Sequence, residues 1–462
     1  MIQNKATPIV AERVLALDRT GVSPANIAMQ VGLSRMEVLA ILGHARLNAA
    51  EPVAFDEPAT LPELPVPYTP SEVFVPPAPL QPGSEVVDGA IYIGDDSYDE
   101  AAYWHPSSPD LVPNPHLMIM GESGSGKTYA TQGIVAELAL AGIPTIIFDY
   151  GQSFELETLD AQFRGYCEPK EHLVGEEGLA LNPLQIFERD THGPASVATR
   201  LSDVFDAAYK LGDIQRKVVI DAVVRVFEDV GITRTDPTTW SQTPPTIEQL
   251  QLVIDSMAAD RHYASSKNAL SLSARLTTFF MLAQFRATGS WSWSDLLQSD
   301  QKVQILQFRG LEGKTQRVLV EMLLWHLFFH LKNQGQNALR VFCVLDEAHH
   351  LSFRESGPVN ALLREARKFG VGLIFASQQP EDFSPVAYSN SASKLIFQTA
   401  DPALRISRFL APKLSNFDSP EEVRDAIAAL QRGKALFISR NRGHVVNVAS
   451  FPKRTTLWGP RT

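Results

Sequence analysis

At 462 residues, with 44% apolar side chains and a formal net charge of −11, the chain is long enough for about two to four domains with sizeable cores. The charge excludes a protein that simply coats nucleic acid. It is carried by one segment, however: thirteen acids and no Lys or Arg fall in residues 47–126, so a local basic channel elsewhere stays open. Two cysteines, Cys167 and Cys343, exclude a disulfide framework and point to a reducing, cytoplasmic setting. Cys343 lies in an apolar run and is expected to pack rather than react. The N-terminus lacks the apolar core of a signal peptide. The longest apolar stretch, 319–331, is short for a membrane span and carries Glu321, His326 and His330, so a buried helix is expected and no membrane insertion.

Residues 8–46 read as three short helices, and the last two fit a helix-turn-helix. Ile27, Ala28 and Val31 precede a turn at Gly32; Leu33, Val38 and Ile41 follow it, with Ser34 as the helix cap. Such offsets let two helices lean together across a tight turn. The outward positions of the third helix, Arg35, Met36, Glu37, Ala40 and His44, are poor in groove-reading side chains. DNA contact and a docking role for this domain (1–47) both stay open. Residues 48–84 form an acidic linker with ten prolines between Glu51 and Gly83, a composition that extends and cannot bury a core.

The second domain, 85–462, opens with an expected hairpin at 90–94 and 101–104. An apolar strand beginning at His116 then runs into Gly121-Glu122-Ser123-Gly124-Ser125-Gly126-Lys127-Thr128, followed by Tyr129 and a helical pattern to residue 140. Strand, G-x-x-x-x-G-K-T turn and helix in that order make a phosphate-binding loop. Glycines admit the close approach of backbone N–H groups to phosphate oxygens, and the helix N-terminus adds its free donors. The loop from Gly121 through Tyr129 is therefore the candidate ATP cradle, with Lys127 on the β- and γ-phosphates and the Thr128 hydroxyl on Mg²⁺. Strand 145–149 should bring Asp149 to the same sheet edge.

Residues 190–298 carry three-to-four apolar spacing broken by Asp236-Pro237, Pro244-Pro245 and Gly289, which indicates a helical subdomain inserted into an α/β core. Strand 302–308 and helix 315–331 resume the core. Strand 341–345 ends in Asp346-Glu347-Ala348-His349. Asp346 suits the Mg²⁺ shell and Glu347 the general base that polarises an attacking water. A helix with Arg364 and Arg367 leads to strand 371–377, whose tip residue, Gln378, is placed to sense phosphate or orient water. A strand at 394–397 and a hairpin at 435–448, with Gly443 at its turn, follow.

Taken together, Asn114-Pro115-His116 before the loop, the Asp149 strand, Leu181-Asn182-Pro183-Leu184, Asp346-Glu347-Ala348-His349, and Arg364-x-x-Arg367-Lys368-Phe369-Gly370 before Ser377-Gln378 resemble the HerA/FtsK superfamily of ring-forming ATPases, most closely its HerA-type branch. The resemblance implies an α/β, RecA-like P-loop core, a hexameric homo-oligomer with ATP at subunit interfaces, and movement of double-stranded DNA, with a nuclease or effector as a possible partner. It also implies a trans-acting arginine ahead of the loop. No Arg lies between Arg46 and the loop, so Arg364 and Arg367 are the first candidates, with Arg405 and Arg408 behind them.

The Asp-Glu-Ala-His string also marks helicases with two motor domains, but no second, arginine-rich motor half follows Gln379. Two other readings remain. One is a conjugation- or secretion-type ATPase docked at a membrane complex. The other is a helix-turn-helix regulator that uses nucleotide as a switch, against which the acid at Glu347 argues.

Overall fold

The computed structural model describes residues 89–458, apart from 179–180, 189, 283–291, 336–338, 349–350, 380–381 and 402–403, together with positions 14, 16, 27, 30 and 31, all helical. The chain divides into two compact units, Met1–Gln81 and Pro82–Thr462. Apart from those five positions, the expected helix-turn-helix and linker lie outside the described residues.

In the second unit the strands are β1 (Ile91–Asp96), β2 (Ala101–Trp104), β3 (Leu117–Met120), β4 (Thr145–Asp149), β5 (Lys170–Leu173), β6 (Val303–Gln307), β7 (Val341–Leu345), β8 (Val371–Ser377), β9 (Ser393–Ile396), β10 (Lys434–Ser439) and β11 (Arg442–Val448). They form one eleven-stranded sheet in the order β2-β1-β11-β10-β9-β3-β8-β7-β4-β6-β5. From β9 to β5 every pairing is parallel. From β9 to β2 every pairing is antiparallel. Parallel strands need both faces covered, which explains their continuous apolar runs. Alternate residues of β3 and β7 sort accordingly. Met118, Met120, Cys343 and Leu345 enter one core, while Leu117, Ile119, Phe342 and Val344 enter the other. Cys343 is thus a packing residue, its thiol pushed up to about 12 by burial.

Among the described residues, the helices of six residues or more are α1 (Lys127–Leu140), α2 (Ala161–Cys167), α3 (Pro194–Tyr209), α4 (Asp213–Asp229), α5 (Ile247–Ala259), α6 (Ser266–Leu282), α7 (Trp293–Gln298), α8 (Gly313–Gln334), α9 (Pro358–Glu365), α10 (Pro385–Asn390), α11 (Arg405–Leu410), α12 (Pro420–Ala428) and α13 (Phe451–Trp458). Helices α3 to α7 fall between β5 and β6 and are the expected helical insertion. Their apolar faces join the core of one sheet face, together with α8. The apolar stretch in α8 is a buried core helix that encloses Glu321 and His326, and no helix among the described residues is long and apolar enough to cross a membrane.

Two motifs that precede chemistry prove to be joints. Asn114 Oδ1 accepts from His116 N and from Ala392 N, both at 3.1 Å, tying the entry of β3 to that of β9. The buried His116 accepts at Nδ1 from Leu373 N, and burial holds its imidazole down near 4, hence neutral. Asn182 donates to Pro245 O at 2.8 Å and accepts from Leu184 N, fixing the root of the insertion.

The terminal hairpin differs from expectation in one place. Its turn is Arg440-Asn441, and Gly443 lies inside β11 opposite Ile438. Arg440 takes the left-handed conformation, φ 57°, and donates to the carbonyls of Leu111 and Asp110. Gly443 serves close packing instead, since a Cβ there would meet Leu436 and Phe417 at 3.2 Å.

Candidate active site

Because β3, β4, β7, β8 and β9 run parallel, their C-terminal tips converge on one edge of the sheet, where ligands of open α/β sheets bind. Strand β8 sits between β3 and β7, so Gln378 at its tip falls between the phosphate loop and Asp346-Glu347.

The loop is built by exclusion. A Cβ at Gly121 would lie 2.5 Å from the Cβ of Phe397 and 2.9 Å from Ser125 Oγ, so only glycine passes over that aromatic floor. Gly126 caps α1 with φ 113°, a conformation that side chains resist. Glu122 N donates to Gln398 O at 2.9 Å and Gly121 N to Ser377 O at 3.3 Å, which anchors the loop to both neighbouring strands. The first turn of α1 has no side-chain cap and no acid, leaving its positive end for an anion. Ser125 Oγ is buried with no hydrogen-bond partner among the described residues. These features fit a phosphate chain.

Lys127 Nζ donates to Gly121 O at 2.7 Å and Glu122 O at 3.0 Å. Burial lowers its pKa, and the charges of Glu347 and Asp346 pull it back up, which places the ammonium within electrostatic reach of both acids. Asp346 is 6% exposed. Burial first, then Glu347 and Asp149, raise its carboxyl to about 6. Glu347 adopts a left-handed backbone, φ 51°, an uncommon state for a non-glycine residue that marks sites held by their surroundings. Its Oε1 accepts from Gln378 Nε2 at 3.1 Å, and its Cγ lies close over Gly151.

Asp149 is fully buried. It accepts from Ser153 N, Phe154 N and Gln307 Nε2 at 3.1, 2.8 and 2.6 Å, and burial is the main cause of its raised pKa. It therefore shapes the loop that follows β4, beside Asp346. Sequence reasoning missed Gln307, Phe397 and Gln398. The only signal for them was a residue at the tip of a strand adjoining the site.

Glu122, Ser123 and Gly124 are exposed, and Ser125, Gly126, Lys127 and Thr128 half-buried. The Tyr129 side chain turns to the C-terminal helix. Its hydroxyl accepts from Phe451 N at 2.9 Å, and its ring meets Phe451 edge-on. Only its backbone lies along the cradle. The same helix is locked to α1 by the fully buried Arg454, which pairs with Glu137.

The structure does not bring Arg364 or Arg367 to this edge. Both precede β8, whose seven residues span about 20 Å. Arg364 makes an exposed ion pair with Glu355 at 3.4 Å, and Arg367 donates to Pro113 O at the opposite edge. Within one chain neither reaches the phosphate loop. Arg405 and Arg408 follow β9 on the near side and are exposed.

Among the described residues no three His, Cys, Asp or Glu side chains gather as a self-sufficient metal site. Thr128, Asp346 and the adjoining acids fit a different pattern. Mg²⁺ binds through one or two protein groups, with phosphates and waters completing its shell, and crowded carboxylates that resist joint ionisation favour a cation.

The model of the family "Helicase HerA, central domain" matches residues 111–327. The DNA import protein CedB of Sulfolobus acidocaldarius is 21% identical over 66% of this chain and 47% of its own length. The DNA double-strand break repair helicase HerA of Sulfurisphaera tokodaii is 22% identical over 73% of this chain and 64% of its own. The chain thus spans about half to under two thirds of these curated relatives. Among solved structures, VirB4 of Thermoanaerobacter pseudethanolicus superposes with a TM-score of 0.62 at 21% identity, over 80% of this chain and 99% of its own. The conjugative coupling protein TrwB gives 0.51 at 14%, over 79% and 90%. The shared fold is the RecA-like P-loop ATPase fold.

Proposed function

For a chain whose core is a HerA/FtsK-type P-loop ATPase domain, we propose ATP hydrolysis that drives the movement or remodelling of double-stranded DNA. The observation that carries the hydrolytic part is the meeting of Lys127, Asp346, Glu347 and Gln378 at adjacent strand tips. The DNA cargo is supported by the relatives, two of which are named for DNA import and double-strand break repair.

In this reading the loop N–H groups from Gly121 to Tyr129 bind the phosphates, and Lys127 leaves its loop carbonyls for the β- and γ-oxygens. Thr128 and Asp346 would hold Mg²⁺, which would neutralise charge on the phosphates when bound. Glu347, oriented by Gln378, takes a proton from water. The water oxygen bonds to the γ-phosphorus, and the bond to the bridging oxygen breaks to give ADP and phosphate. Asp149 keeps the loop beneath Glu347 in place. The interfacial cation comes from a neighbouring copy. Arg364 and Arg367, out of reach in their own chain, suit that role, with Arg405 and Arg408 as the other candidates.

The working assembly is a homo-oligomeric ring, a hexamer by family resemblance, in the cytoplasm. It comprises a helix-turn-helix domain (1–47) that recruits DNA or a partner, a linker (48–84) and the motor (85–462), with a nuclease or effector as a further partner. The likeness to VirB4 and TrwB favours one alternative, a conjugation-type ATPase docked at a membrane complex. A triplex-displacement assay tests the DNA motor. ATP-dependent removal of a third strand from linear duplex by the purified chain supports a DNA motor. Displacement that never exceeds the ATP-free control, while ATP is hydrolysed, contradicts it.

A further inference from the structure

The segment after Glu347 is stitched into the fold more firmly than a strand exit requires. Leu351 N donates to Ala348 O and Gly357 N to Arg354 O. Asn360, 2% exposed, donates to both Phe353 O and Arg354 O. Arg354 reaches out of this segment to the helices beside it. Its Nε donates to Ser352 Oγ at 3.1 Å, Nη1 to Asp206 Oδ2 at 3.3 Å and Nη2 to the carbonyl oxygen of Asp203, while Nη2 lies 3.7 Å from Glu321 Oε2. Asp203 and Asp206 belong to α3 of the insertion and Glu321 to α8. Asp203 in turn pairs with Arg216 of α4 at 2.5 Å.

A single guanidinium thus ties the segment that follows the acidic pair to two helices, α3 and α8, outside the nucleotide site. The planar fork suits the task. It serves several acceptors at once in fixed directions, where an ammonium offers a compact point charge. Glu321 adds leverage. It is 1% exposed, and burial holds its carboxyl up near 8 while Arg354 and Arg317 pull it down, so a shift of Arg354 alters the protonation balance of a buried carboxyl. We propose that Arg354 is the coupling residue between the acidic strand tip and the helical insertion, transmitting displacement of Asp346-Glu347 to α3 and α4. The inference rests on the reading of that tip as the ATP site.

The test uses the full chain and two variants that keep most of the packing, Arg354→Lys and Asp206→Asn. The Asp206 side chain is 24% exposed, so Asp206→Asn serves if Arg354→Lys does not fold. Hydrogen–deuterium exchange over 194–229 is followed with and without a non-hydrolysable ATP analogue and Mg²⁺. The expected result is an analogue-induced change in exchange in the wild type that is lost in the variants, with analogue affinity within about threefold of wild type. DNA-stimulated turnover should fall about tenfold while DNA-free turnover holds, a coupling of about 1.4 kcal/mol. A merely structural role would change baseline exchange but preserve the response to analogue. Persistence of that response in both variants, or its absence in the wild type, overturns the proposal. Failure of DNA to stimulate the wild type contradicts the motor reading and leaves the exchange comparison to decide the coupling. Failure of the wild type to bind the analogue overturns both.

Discussion

The two edges of the parallel sheet are built from the same strands toward opposite ends. At the N-terminal edge side chains bind backbone groups of neighbouring segments. Asn114 serves two backbone donors, His116 accepts from Leu373, and Arg367 and Arg440 collect the carbonyls of 110, 111 and 113. At the C-terminal edge the chain carries a left-handed Glu347, three crowded acids and a glycine loop stretched over Phe397. The sheet thus separates stability from chemistry by strand direction. Strain and crowded negative charge gather where a ligand can relieve them.

Substitutions at the two edges should therefore fail in different ways. The largest effect on turnover is expected for Glu347→Gln, which keeps the side-chain shape and removes the base. Steady-state hydrolysis should fall by about 10²–10⁴-fold while a fluorescent ATP analogue still binds, and unchanged hydrolysis would remove Glu347 from the base role. Next comes Gly121→Ala. Its Cβ cannot share space with Phe397, so nucleotide affinity should drop about tenfold or more, with a stability loss of about 1–3 kcal/mol. Normal nucleotide titrations would show the floor to be yielding.

At the opposite edge Asn114→Ala strands the N–H groups of His116 and Ala392. Chemical denaturation should report a loss of about 1–3 kcal/mol, with turnover per folded molecule unchanged; a specific fall in turnover would break the separation of the edges. A further prediction is a pH signature. Glu321 has an ordinary value of 4.5 and is held near 8 in the fold, so its protonated form is the one the fold prefers. The stability it contributes is full below about 4.5 and is lost as pH rises through about 8. The melting temperature of the wild type should fall relative to Glu321→Gln between pH 5 and 8.5, and parallel curves would contradict the assignment.

Much of this plan was legible in the sequence because its signals are local. The loop flanked by strand and helix, the acidic pair at the end of an apolar strand, and the three-to-four spacing in 190–298 each declare themselves within a short window. What escaped depends on pairing between distant strands. Phe397 and Gln398 matter because β9 lies beside β3, and Gln307 because β6 lies beside β4, which no local window reports. The hairpin turn was misplaced because Gly443 signals turn and close packing alike. Arg364 and Arg367, the candidates for an interfacial cation, precede Gln378 closely in sequence, but a seven-residue strand carries that separation across the sheet.

The most direct test of the central claim is steady-state ATP hydrolysis by the full chain, with and without linear double-stranded DNA, and with Lys127→Ala as the blank. DNA should stimulate the wild type strongly, and the blank should lose turnover by about 10²-fold or more. Turnover that is indifferent to DNA, or that survives in Lys127→Ala, would contradict it.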